Sequence, residues 1–122
     1  TYSDGLARRV YAGSDLLLMP SRSEPCGLSQ MIAMRYGTVP IVRSTGGLRD
    51  TVLPPESAEG CGFVFEQYDA YHLLCEVRRA ARMLRQAPDE FAALRRRGMT
   101  KDFSWDASAR EYLRIYESIS GR

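Results

Sequence analysis

The strongest constraint on this fold is a pair of short apolar runs with a helical pattern between them. Asp15 to Met19 is almost continuously apolar and stops at Pro20. Val39 to Arg43 (VPIVR) is the second run, and the residues from Leu28 to Tyr36 between them read as a helix ended by Gly37. Runs this short, apolar throughout rather than alternating, suit strands covered on both faces of a parallel sheet. A strand, a helix and a second strand with short links form a right-handed parallel crossover. Gly62 to Phe65 is a third run of the same kind. The predicted fold is therefore α/β, a partial Rossmann-like parallel sheet with flanking helices. Three strands are few for such a sheet, so further strands are expected upstream of Thr1, making residues 1–122 a truncated domain.

Helical periodicity accounts for most of the remainder. Residues 3–12 put Leu6, Ala7, Val10 and Tyr11 on one face, with Ser3 or Asp4 as N-cap. From Asp69 to Gln86, Leu73, Leu74, Val77, Ala80, Ala81 and Leu84 keep a 3.6-residue period. Pro88 opens a further helix that Gly98 is expected to end. Residues 103–122 are read as a terminal helical segment, striped by Tyr112, Leu113, Tyr116 and Ile119, with Phe103 and Trp105 as core or staple anchors. Gly46-Gly47 marks a tight turn, and residues 54–61 form a loop. Ile32 and Tyr36, spaced i,i+4, are expected to face the core.

Composition narrows the function classes. The chain is 44% hydrophobic and 26% charged, which argues for a packed domain rather than disorder. A net charge of +2 gives no reason to expect a nucleic-acid or membrane-surface partner. The arginines at 78, 79, 82, 85 and 95–97 alternate with acids and read as a solvated helix face. Cys26, Cys61 and Cys75 have no metal-ligand spacing, and His72 is the lone histidine, so no metal site is expected. Reduced thiols in a cytoplasmic protein are the simplest account.

One segment has the chemistry of a binding site. Ser21-Arg22-Ser23-Glu24-Pro25-Cys26-Gly27-Leu28-Ser29-Gln30 leaves the carboxyl end of a strand and enters a helix, where open α/β sheets bind ligands. The free N–H groups and partial positive charge of a helix N-terminus suit a phosphate. Gly27 admits close approach to the backbone, Ser29 adds a hydroxyl, and Glu24 can accept hydrogen bonds from sugar hydroxyls. Together these describe a sugar-nucleotide site. The alternative is purely structural: Glu24 caps its own helix, Gly27 is a turn and Ser29 completes the cap. Cys26 lies where a thiol is acidified, but without a neighbouring base its position is read as backbone shaping.

The same run, with Met34-Arg35-Tyr36-Gly37-Thr38-Val39-Pro40 and Arg43-Ser44-Thr45-Gly46-Gly47-Leu48-Arg49-Asp50-Thr51-Val52, closely resembles bacterial glycogen synthases and plant starch synthases. The likeness spans residues 1 to about 70 and returns at Phe103-Ser104-Trp105. It implies the C-terminal, donor-binding domain of a two-domain (GT-B type) glycosyltransferase, moving glucose from ADP-glucose, with UDP-glucose the second choice of donor, to the non-reducing end of an α-1,4-glucan with retention. By resemblance, Glu24 is the catalytic-site glutamate on the transferred glucose. Cys26, Gly27, Leu28 and Ser29 line the glucose and diphosphate, and Tyr2 stacks on the base. Thr45, Gly46 and Gly47 border the cleft. No cofactor beyond the ADP-glucose donor is implied. The partners implied are that donor, the glucan acceptor, an N-terminal domain and the upstream half of its own domain. Many related glycosyltransferases have a second glutamate at the position of Ile32, a departure shared with the synthase branch. The 122-residue piece alone is expected to be inactive. A non-catalytic sugar-nucleotide module, or a transferase with another acceptor, would carry the same segment.

Overall fold

A computed structural model describes residues 3–121. The chain runs α1 (Asp4–Gly13), β1 (Leu16–Met19), α2 (Ser29–Tyr36), β2 (Val39–Arg43), α3 (Gly46–Thr51), β3 (Phe63–Phe65), α4 (Ala70–Gln86), α5 (Pro88–Thr100) and α6 (Trp105–Ser120). The three strands form one parallel sheet in the order β1-β2-β3. Leu16 pairs with Val39 and Ile41 with Phe63, so the central strand is β2.

Strand alternation divides the interior in two. Val39, Ile41 and Phe63 point to one side, where Ala80 of α4 and Phe91 and Leu94 of α5 cover them. Val42 points to the other, packing with Met34 of α2, Leu48 of α3, Val52 and Cys61. The central strand is buried from Val39 to Val42, as its unbroken apolar run requires. β1 differs from expectation. It is an edge strand, and Leu18 is 51% exposed, whereas Leu16 on the same face packs against the core.

Helix ends follow local chemistry. Ser3 caps α1, accepting from the Leu6 N–H at 3.4 Å. Asp69 caps α4, accepting from the His72 N–H at 2.9 Å, while its second oxygen meets His72 Nδ1 at 2.7 Å. Ser104 caps α6 through the Ala107 N–H. The backbone bond from His72, followed by the side-chain bond and positive charge there, holds the Asp69 carboxyl below its ordinary value of 3.8. A depressed carboxyl stabilises the fold above its unfolded pKa and loses that contribution as pH falls through the folded one. The His72 amide proton resonance, followed from neutral pH downward, is therefore expected to move with a midpoint below 3.8. A midpoint above 3.8 would remove the cap.

Three expectations are corrected. Gly98 does not end α5; it lies buried two residues before the end, with Met34 Cγ 3.3 Å from where its Cβ would be. Its smallness lets α5 close on α2. Ile32 and Tyr36 share a face but not the core, being 41% and 42% exposed, and Tyr36 stacks on Tyr11 of α1. Trp105 is 88% exposed, and α6 touches no other helix or strand among the described residues, so its apolar stripe lies bare. The three cysteines are free thiols, and no described helix is long and apolar enough to cross a membrane.

Candidate functional site

The segment after β1 is held at the sheet's carboxyl edge by two neighbours. Arg43, at the end of β2, donates from Nη1 to the Arg22 carbonyl at 2.9 Å and from Nε to the Glu66 carbonyl at 3.1 Å. The start of α3 clasps the segment from the other side. The Gly47 N–H donates to the Glu24 carbonyl at 3.1 Å. A Cβ on Gly46 would lie 2.0 Å from the Glu24 oxygen, and one on Gly47 would lie 2.1 Å from the Cys26 oxygen. Only glycine permits that contact. Residues predicted from two separate stretches thus share one surface: Glu24 and Cys26–Ser29 from the first, Thr45–Gly47 from the second.

Gly27 turns the chain into α2 with φ +69°, a conformation costly for any residue with a side chain. α2 begins without a side-chain cap, as do α3 and α5, whereas α1, α4 and α6 have one. Its flanking residue is Leu28, which has nothing to offer the first-turn N–H groups. No backbone acceptor meets the N–H groups of Gly27, Leu28 or Ser29 among the described residues. Glu24 does not cap the helix. Its carboxylate is half-buried and accepts from Ser21 Oγ at 3.3 Å. The purely structural account of the segment is met at Gly27, which is a turn, but not at Glu24 or Ser29, since neither side chain caps the helix. What remains is an open N-terminus with a carboxylate beside it.

Cys26 and Leu28 are exposed, so their side chains are free of the interior and their backbone shapes the turn. Tyr2 lies outside the described residues. His72 is spent on the α4 cap, and Arg79 on ion pairs with Glu76 and Glu56. A hollow of about 620 Å³ lies beside α2, lined by Met31, Ile32, Arg35, Lys101 and Phe103. It meets the segment only through Leu28. Its two cations are committed, Arg35 to the Met99 carbonyl and Lys101 to the Thr51 carbonyl. The geometry at the open helix end, rather than cavity size, therefore identifies the candidate site.

Sequence reasoning passed over Gln30 and Thr51. Gln30 is fully buried and donates from Nε2 to the Gly27 carbonyl at 2.7 Å, to Thr51 Oγ1 at 3.1 Å and, more weakly, to the Cys26 carbonyl at 3.4 Å. Thr51 in turn donates to the Gly47 carbonyl at 2.7 Å. The signal was available: Gln30, Ala33 and Met34 fall on one helical stripe, so a polar residue occupied a core position.

Residues 3–91 match the family described as glycosyl transferases group 1. The chain is 52% identical over 120 residues to a glycogen synthase of Desulfitobacterium hafniense, covering 97% of this chain and 26% of that protein. The catalytic domain of starch synthase IV from Arabidopsis thaliana, solved bound to ADP and acarbose, superposes with a TM-score of 0.87 at 38% identity. The match covers all of this chain and 26% of that one. A sucrose-phosphate synthase from Thermosynechococcus elongatus superposes with a TM-score of 0.66 at 29% identity, over 91% of this chain and 27% of its own. The chain thus spans about a quarter of the length of the curated relatives it matches.

Proposed function

Since the chain belongs to the glycosyl transferases of group 1, we propose that it forms the donor-binding wall of a cytoplasmic glycogen or starch synthase. The whole enzyme moves glucose from ADP-glucose to the non-reducing end of an α-1,4-glucan with retention. Residues 1–122 are then part of its C-terminal domain, and α6 (Trp105–Ser120) is the helix that falls within the terminal segment 103–122. The single observation that carries this reading is the uncapped start of α2 at the sheet's carboxyl edge, with the Glu24 carboxylate beside it.

The division of labour follows from the chemistry of the groups. Breaking the bond between glucose and the diphosphate leaves negative charge on the departing phosphate. First-turn N–H groups and the α2 dipole, fixed before the reaction, stabilise that charge without reorganising. Glu24 accepts hydrogen bonds from hexose hydroxyls and fixes the sugar relative to the bond that breaks. Cys26 and Gly27 shape the turn between these two tasks, and Ser29 supplies a hydroxyl donor. Tyr2 stacks on the base. Gly46 and Gly47 back the turn directly, and with Thr45 they border the same cleft. The glucan, the N-terminal domain and the remaining phosphate ligands complete the site from outside residues 1–122.

The test is a titration of the 122-residue chain with ADP-glucose and UDP-glucose while observing backbone amide resonances. ADP-glucose is expected to shift Gly27, Leu28 and Ser29 first, and the same sample is expected not to elongate glucan. A folded chain whose Gly27–Ser29 signals respond to neither sugar nucleotide would sink the reading. Elongation by the isolated chain would remove the need for outside groups.

A further inference from the structure

We propose that Gln30 is a positioning residue that aims the anion-binding N–H groups of the turn, and that Thr51 relays its hold to α3. The proposal rests on the donor-site reading above. It starts from the planarity of the peptide bond. In a trans peptide the C=O and the N–H point in opposite directions. The Cys26 carbonyl shares its plane with the Gly27 N–H, and the Gly27 carbonyl shares its plane with the Leu28 N–H. Gln30 Nε2 draws both carbonyls inward, to 3.4 and 2.7 Å. The Gly27 and Leu28 N–H groups are thereby turned away from the interior, and neither meets a backbone acceptor among the described residues.

The orientation of the Gln30 amide is fixed by its partners. Both carbonyls can only accept, so the group facing them is the NH₂. Thr51 Oγ1 already donates to the Gly47 carbonyl, which leaves its lone pairs for Gln30. The result is a closed ring of bonds. Gly47 N–H holds the Glu24 carbonyl, Thr51 holds Gly47, and Gln30 joins Thr51 to Gly27. Glu24 and the aimed N–H groups are thus parts of one braced unit. The remaining Gln30 oxygen, Oε1, is buried without a hydrogen-bond partner and lies 2.7 Å from where a Gly27 Cβ would be. An acceptor left unmet in the interior is costly, a cost set against the bonds that the NH₂ of the same amide makes.

The experiment compares ADP with AMP as ligands of the 122-residue chain. Only ADP brings the second phosphate to the aimed N–H groups, so the affinity ratio reports their direction rather than general integrity. The wild-type chain is expected to prefer ADP. Gln30→Met keeps the shape and removes the NH₂, and the preference is expected to fall about tenfold, the value of one to two hydrogen bonds. Thr51→Val is expected to lower it by about threefold, and Thr51→Ser, which restores the hydroxyl, to recover it. An unchanged ADP:AMP ratio in a folded Gln30→Met chain overturns the positioning role while leaving the donor site standing. Should Gln30→Met not fold, equal ratios for Thr51→Val and Thr51→Ser overturn it instead. A wild-type chain with no preference for ADP refutes the donor site, and the positioning role with it.

Discussion

Gly47→Ala is expected to lower the stability of the chain by about 3 kcal/mol and to abolish the response of Gly27–Ser29 to ADP-glucose. The Cβ would stand 2.1 Å from the Cys26 carbonyl oxygen and 2.8 Å from its carbon. Ordinary contact begins near about 3.5 Å, so one backbone must retreat by more than about 1 Å. The obstacle is main chain on both sides, which cannot swing aside as a flexible side chain can. Retreat of α3 breaks the Gly47 bond to Glu24 and stretches the Gln30 bond to Thr51. Retreat of the turn misdirects the N–H groups themselves. A denaturant midpoint and an amide titration on the same sample measure both effects. A Gly47→Ala chain with wild-type stability and a wild-type ligand response would show that the close approach has no role.

Glu24→Ala is expected to cut turnover of the full-length transferase proposed above by about 10²–10⁴-fold while leaving the fold intact. Hydrogen bonds to a charged group contribute roughly 1.5–3 kcal/mol each, and adjacent hexose hydroxyls offer two of them. At about 1.4 kcal/mol per factor of ten, two such bonds give that range. Stability has little to lose, because the carboxylate is half-buried and has one weak side-chain partner at 3.3 Å, Ser21 Oγ. Glu24→Gln retains shape and part of the acceptor capacity, so its loss is expected to be the smaller. Binding of ADP, which lacks the hexose, should hardly change in either variant. Wild-type turnover in Glu24→Ala, or a collapse of ADP binding with it, would remove Glu24 from the sugar.

The strands were legible because the central one is a saturated case. Val39 to Val42 are buried on both faces, so an unbroken apolar run left no other reading. β1 had the same local signal, but its exposure depends on which strand becomes its neighbour, a long-range fact that no window of residues contains. Ile32 and Tyr36 illustrate the same gap at the level of a helix. Their spacing fixes a shared face; the packing of α2 against the sheet through Ala33 and Met34 decides that theirs is the outer one. Trp105 was misplaced because a staple needs the preceding link to fold back, whereas α6 stands clear of the rest. Local glycine chemistry was read in part. The turn at Gly27 was visible, but the need for Gly46 and Gly47 arises only when α3 is laid against residues 24–26. Gln30 was hidden by its residue type, since a polar side chain on an apolar stripe is easily discounted. The family likeness was carried by motifs that the burial pattern of the chain does not explain.

The glycine clasp also imposes an order of events on a chain made from its N-terminus onward. The turn at residues 24–27 emerges before the residues that brace it, Gly46, Gly47 and Thr51, which come only after the central strand. Parallel pairing of β1 with β2 must therefore precede the final geometry of the turn, and such non-local pairings are slow to form. A nascent chain halted before residue 46 would have its first strand and second helix in sequence but no wall to set the turn against. On the proposed function, the turn is ready for a diphosphate only once α3 has docked.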